Sequence, residues 1–310
     1  MTRSGERFAK VGDLELCYEE FGSSENPPML LVMGLATQMI GWHVDFCSEL
    51  AERGFRVIRY DNRDIGRSSK IGDAGVPSRA QMLFGLGTSA YTLSDLAADG
   101  VGLLDALEID SAHVVGASMG GMIAQTVAIE HPRRVHSLAS IMSSVGERRT
   151  GLPRLRAFGP LMKAAPSDRD GFIGHTVKTF EVIGSPGFET DEDRLRETAG
   201  QSFDRCRYPQ GIARQLNALT SSPGRRRALG GVRAPTVVIH GDKDPLVRFA
   251  AGKATARAVP GARLEVVRGM GHDLPRGAWP QIVGAIVENA RAAEDGRLAM
   301  PGSVPERVEG

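Results

Sequence analysis

The chain has little of several things that narrow function. Three cysteines, Cys17, Cys47 and Cys206, lie scattered through 310 residues. They are too few for a disulfide framework, and no C-x-x-C pair suggests zinc or redox work. They read as small apolar residues in a reducing compartment. A charge excess is missing too: 38 basic against 37 acidic residues leave a net charge of +1. That argues against a large electrostatic footprint for nucleic acid. The run Arg225-Arg226-Arg227 reads as a solvated helix end rather than a phosphate site. No stretch of 18 apolar residues exists, so no membrane span is expected. The opening MTRSGERFAK lacks the apolar core of a signal peptide. A cytoplasmic protein with no membrane or nucleic-acid partner is the expectation. No His/Asp/Glu cluster has ligand spacing, so no metal is expected.

What remains is ordinary globular composition, 41% hydrophobic and 24% charged, in a chain long enough for one large α/β domain with an insertion. Glu6–Val11 and Leu14–Glu20 flank Gly12-Asp13 and read as a hairpin. Pro28–Met33 and Phe55–Tyr60 are short apolar runs of buried-strand type, with helical spacing over Val44–Arg53 between them. Leu93–Leu107 is an amphipathic helix pattern. Ala112–Val115 and Val135–Met142 read as strands on either side of a buried helix, Met119–Glu130, stopped by His131-Pro132. Strand character returns at Pro235–His240 and Arg263–Val267, and Gln281–Ala292 reads as the closing helix. Alternating strands and helices predict a mostly parallel sheet with helices on both faces. The expected organisation is a core of residues 1–142 and 228–293, a helical cap of residues 143–227, and a flexible tail, 294–310.

One stretch demands an explanation. VVGASMGG, residues 114–121, puts a serine between glycines directly after an apolar run. Composition alone supplies roughly 0.3 matches to G-x-S-x-G, so the pattern needs its context. A strand runs into Ser118 and a helix starts after it, which is the frame of a nucleophile elbow. A hydroxyl becomes a useful nucleophile only when a base takes its proton. Seven histidines are available. His113 lies within the strand before the elbow, His131 and His136 flank the next strand, His43 opens an early helix and His175 lies in the cap. His240 ends a strand and has little freedom. His272, in the loop Gly269-Met270-Gly271-His272-Asp273 after the last strand, is the candidate base. Its carboxylate is expected from HGDKDP, residues 240–245. Asp244 is chosen over Asp242, which is expected to brace the loop. The chain order is then Ser, Asp, His. Oxyanion donors are expected from the backbone N–H of Met119 and of Leu35, the latter in a turn that Gly34 permits.

Together VMGLATQMIGW, YDNRDIGRSS, YTLSDLAADGVGLLDAL, HVVGASMGG, HGDKDPLV and GMGHDLP resemble the α/β-hydrolase superfamily. The resemblance runs from Leu14 to about Ala292. Within it, Met-Gly before the oxyanion loop and the G-M-G-H-x-L-P ending resemble bacterial serine esterases that include the aclacinomycin methylesterases. The resemblance implies an α/β-hydrolase fold with a helical cap and a triad of Ser118, Asp244 and His272. It also implies oxyanion donors at Leu35 and Met119. Asp61, Arg63, Gly66 and Ser68 match the family's D-x-R-x-x-G-x-S turn, read as a structural loop with buried carboxylate–guanidinium pairing. Leu35 stands where that group has glycine and is expected to crowd the acyl pocket.

The implied activity is hydrolysis of small to medium hydrophobic carboxylic esters through an acyl-enzyme, with no cofactor. Gly34, Phe158, Met162 and Phe180 are the candidate substrate contacts. Met82, Leu83, Phe84 and Leu86 are candidates for the entrance. The triad alone leaves thioesterase, C–C hydrolase and perhydrolase chemistry open, and a non-catalytic receptor on the same fold. A homodimer stays open as the assembly.

Overall fold

In a computed structural model, residues 2–78, 89–147 and 165–298 are described. Eight strands form one sheet: β1 (Arg7–Val11), β2 (Leu14–Phe21), β3 (Pro28–Val32), β4 (Arg56–Tyr60), β5 (Ala112–Ala117), β6 (Val135–Ile141), β7 (Thr236–Gly241) and β8 (Arg263–Val267). Their spatial order is β1-β2-β4-β3-β5-β6-β7-β8. The β1–β2 and β2–β4 pairs are antiparallel and the remainder parallel. Each parallel crossover carries a helix, because parallel neighbours cannot be joined by a tight turn. The helices are α1 (Val44–Glu52), α2 (Leu93–Ala106), α3 (Met119–Glu130), α4 (Arg169–Ile183), α5 (Glu192–Arg205), α6 (Pro209–Ser221), α7 (Arg226–Leu229), α8 (Phe249–Ala258) and α9 (Trp279–Leu298).

Alternation along the strands splits the core in two. Leu30, Val32 and Val114 face a cluster built with Leu96, Leu104 and Ile123. Met29, Leu31 and Val115 face a second cluster with Phe46, Leu50, Ile282 and Ile286. Each side chain so buried contributes about 1.5–3 kcal/mol. The central strand β5 is buried at every position, which is why its sequence does not alternate apolar with exposed polar residues; its one polar side chain, His113, is hydrogen-bonded to Ser137.

Two elements depart from the sequence expectation. Phe249–Ala258 forms α8, which apolar spacing did not single out because its sequence, FAAGKATARA, is mostly small residues. The closing helix runs from Trp279 to Leu298, past Ala292 and into the expected tail. Its Glu294 carboxylate lies 3.3 Å from the His113 ring, tying this part of the helix to β5. Between β6 and β7, the described residues of the chain form helices and loops without a strand. No helix among the described residues is long and apolar enough to cross a membrane.

Candidate active site

Parallel register brings five loops to one edge. Val32 pairs with Gly116, Ala117 with Ile141, Ile141 with Ile239, and Gly241 with Val267. The residues that follow β3, β5, β6, β7 and β8 therefore emerge side by side at the strands' carboxyl ends, where open α/β sheets place ligands.

Ser118 follows β5 with φ +56° and ψ −119°, backbone that only a glycine adopts without strain. Its surroundings force the shape. The Ser118 N–H donates to Ile141 O at 2.9 Å, and its carbonyl accepts from Gly121 N–H and from the Ser143 hydroxyl. The glycines answer a packing need: a Cβ on Gly116 would fall 2.1 Å from Gly120 O, and one on Gly120 2.1 Å from Val32 O. Only glycine lets α3 start so close to the sheet.

The His272 ring joins Ser118 to Asp244. Its Nε2 lies 2.9 Å from Ser118 Oγ and its Nδ1 2.7 Å from Asp244 Oδ2. Asp244 is buried, and its other oxygen accepts the N–H groups of Leu246 and Val247 at 2.8 Å each. Those two bonds leave Oδ2 aimed at His272, and a carboxylate at Nδ1 selects the tautomer whose Nε2 lone pair faces the serine. Asp242 takes the bracing place expected of it: its Oδ1 accepts the Gly269 N–H at 2.7 Å, at the root of the His272 loop. His240 Nε2 lies 3.6 Å from Asp244 Oδ2 and is bonded to Val247 O. Burial holds its imidazole below the ordinary histidine range, against the opposing pull of the Asp244 carboxylate.

The Gly34 turn abuts the serine. A Cβ at Gly34 would sit 3.1 Å from both Ala117 O and Ser118 Cβ. Thr37 N–H closes the turn on Gly34 O, and Ala36 adopts φ +62°. Among the described residues, the N–H groups of Leu35 and Met119 have no acceptor. The Leu35 side chain is half-buried and packs against the first core cluster. Phe180 lies near the end of α4, three residues before Ile183, whose carbonyl accepts the His272 N–H. Phe158 and Met162 lie outside the described residues, as do Met82, Leu83, Phe84 and Leu86.

Three features escaped the sequence reading. The Asp61 carboxylate pairs not with Arg63 but with Arg205 of α5, at 2.9 Å, while accepting the N–H groups of Met39 and Arg67. Arg63 turns to Asp99 of α2. Asp64 takes a bidentate pair from Arg214 of α6, at 2.7 and 2.9 Å, both partners buried. Gly66, at φ +53°, leaves space that any Cβ would lose, 2.1 Å from Asp61 Oδ2. Gln215, also on α6 and fully buried, accepts the Ala36 N–H at 3.2 Å and donates to Arg63 O at 3.3 Å. One reading is corrected. Arg225 is not a solvated helix end: it is buried, bonded to Gln125 Oε1 and Ser144 O, and burial pushes its guanidinium down to about 10.

No group of three His, Cys, Asp or Glu side chains that could hold a metal occurs among the described residues. The arrangement carries a hydroxyl, an imidazole and a carboxylate in series.

Comparison with known proteins agrees with the architecture. The α/β-hydrolase fold family model matches residues 27–180. Rhodomycin D methylesterase DauP of a Streptomyces strain is 28% identical, over 93% of this chain and 98% of its own. A hydrolase from Pseudomonas aeruginosa superposes with a TM-score of 0.68 at 25% identity, over 92% of this chain and 98% of that one. The enol-lactonase from Burkholderia xenovorans reaches 0.71 at 22% identity, covering 92% of this chain and all of that one. Sheet order, elbow and the match to the family model converge: this chain has the α/β-hydrolase fold.

Proposed function

We propose that the protein is a carboxylic ester hydrolase that works through an acyl-enzyme on Ser118. His272 Nε2 takes the Ser118 proton as Oγ attacks the ester carbonyl. The positive imidazole that forms is stabilised by Asp244 through Nδ1–H. The carbonyl oxygen, now an anion, accepts from the N–H groups of Leu35 and Met119; losing one such donor costs about 3–4 kcal/mol of transition-state stabilisation. His272 then gives its proton to the leaving alcohol. In the second half it draws a proton from water, whose oxygen attacks the acyl carbon, and returns that proton to Ser118. Acid and alcohol leave and the enzyme is regenerated.

The observation that carries this reading is the unbroken hydrogen-bond series Ser118 Oγ, His272, Asp244. Relatives whose names denote methylesterase and enol-lactonase activity support an ester or lactone carbonyl as the target. Small to medium hydrophobic esters are the proposed substrates, with Gly34 and Phe180 beside the acyl group. Thioester, C–C and perhydrolytic chemistry would use the same residues, and a receptor would keep them without turnover.

The test is hydrolysis of p-nitrophenyl esters from acetate upward by wild type and Ser118→Ala. Loss of turnover in the variant, with retained binding of a non-reactive analogue, is the expected result. Turnover that survives Ser118→Ala would overturn the reading.

A further inference from the structure

The His272 loop does not stand alone on β8. It is strapped to the residues that leave α4. His272 N–H donates to Ile183 O at 2.7 Å, and Gly187 N–H donates to Gly269 O at 3.0 Å. The Ser185 hydroxyl does more: its Oγ accepts the Gly271 N–H at 2.8 Å and donates to Asp273 Oδ1. Gly271 and Asp273 are the two neighbours of His272, so one hydroxyl grips the chain on both sides of the imidazole. Ser185 is buried. The contact is also close: a Cβ on Gly271 would fall 2.1 Å from Gly184 O, and one on Gly187 2.6 Å from Gly269 Cα. The Asp273 carboxyl is pushed up by burial, which the Ser185 hydroxyl opposes.

We propose that Ser185 is a positioning residue for the base: it fixes the height and turn of the His272 backbone, so that Nε2 meets Ser118 Oγ. The proposal rests on His272 acting as that base. The inserted segment between β6 and β7 is then part of the mounting of the catalytic histidine, rather than only a cover over the substrate. Without the hydroxyl, the buried Gly271 N–H and the half-buried Asp273 carboxyl both lose this partner. The loop relaxes, and a displacement of about 1 Å between reacting atoms can lower a rate 10²-fold. The substrate does not touch Ser185 in this account, so binding is spared.

The experiment compares wild type, Ser185→Ala, Ser185→Thr and Ser118→Ala. Thermal melts and circular dichroism first establish that each is folded. Two readouts follow: kcat and KM on the best p-nitrophenyl ester, and the downfield proton NMR signal of His272 Nδ1–H, which needs no substrate. For Ser185→Ala we expect a 10- to 100-fold fall in kcat, KM within about twofold, and a shifted or exchange-broadened Nδ1–H signal. Ser185→Thr, which keeps the hydroxyl, should recover most of both. An unchanged Nδ1–H signal overturns the proposal, and so does an unchanged kcat. If Ser118→Ala hydrolyses as fast as wild type, the esterase reading fails separately, and the NMR comparison still decides whether Ser185 holds the histidine.

Discussion

Helix α3, packed on the sheet, and helices α4 and α5, in the segment inserted between β6 and β7, bury different amounts of apolar surface. In α3, every residue from Met119 to Ala128 is buried, and the helix belongs to the sheet through apolar and glycine contacts. In the insertion, α4 buries only Val177 and Ile183, and α5 only Ala199 and Gly200. Among its described residues the insertion is tied to the core by two ion pairs, an amide and a hydroxyl: Arg205 on Asp61, Arg214 on Asp64, Gln215 on the Gly34 turn, Ser185 on the His272 loop. Hydrophobic burial tolerates small errors in position, whereas a bidentate ion pair does not. The difference teaches that the sheet builds the edge and the insertion sets its fine geometry.

The sharpest break in that comparison is on the sheet side. Ser118→Ala should lower kcat about 10⁴-fold or more, as loss of any triad member does, with little change in Tm; progress curves on a p-nitrophenyl ester measure it. Next comes the insertion's anchor. Arg214→Ala leaves Asp64 buried and unpaired, a loss of about 3–5 kcal/mol of stability, read in urea melts. Its Asp64→Asn counterpart sharpens the point through pH. Burial opposes ionisation of Asp64, but Arg214 and the Ile71 N–H hold its carboxyl below the ordinary range. A carboxyl depressed in the folded state stabilises above its unfolded value, about 4, and that contribution is lost as pH falls through the folded value. Melts between pH 3 and 7 should therefore show a shallower acid decline in Asp64→Asn than in wild type. Asp99, pushed up by burial in spite of Arg63, acts in the opposite sense and does not mimic this.

Smaller effects refine the picture. Gln215→Leu removes the acceptor of the Ala36 N–H while keeping volume. It should lower kcat roughly tenfold, well short of losing an oxyanion donor outright, with KM nearly unchanged in steady-state assays. Smallest of all, Arg169→Ala breaks an exposed pair with Asp204 inside the insertion and should leave Tm and kcat unmoved.

How much of this the sequence carried follows the same division. Strand β5, the elbow and helix α3 were legible because an apolar run, a serine flanked by glycines and a second apolar run follow one another within twenty residues of sequence. Asp244 and His272 were legible because their loops follow strands, and parallel register brings strand ends together. Arg205, Arg214, Gln215 and Ser185 were not. On a helix, arginine and glutamine look like solvent-facing residues, and Gly184-Ser185-Pro186-Gly187 looks like a plain turn. Their partners lie from about 90 to about 180 residues away in sequence, a separation no local pattern encodes. Arg225 misled for the same reason: three arginines in a row suggest water, and only packing turns the first of them inward.

The most direct measurement is covalent. Wild type and His272→Ala would be treated with a fluorophosphonate and the modified peptide found by mass spectrometry. The account predicts one adduct, on Ser118, formed rapidly in wild type and at least 10³-fold more slowly without the imidazole. Labelling elsewhere, or labelling of Ser118 that is indifferent to His272, would contradict it.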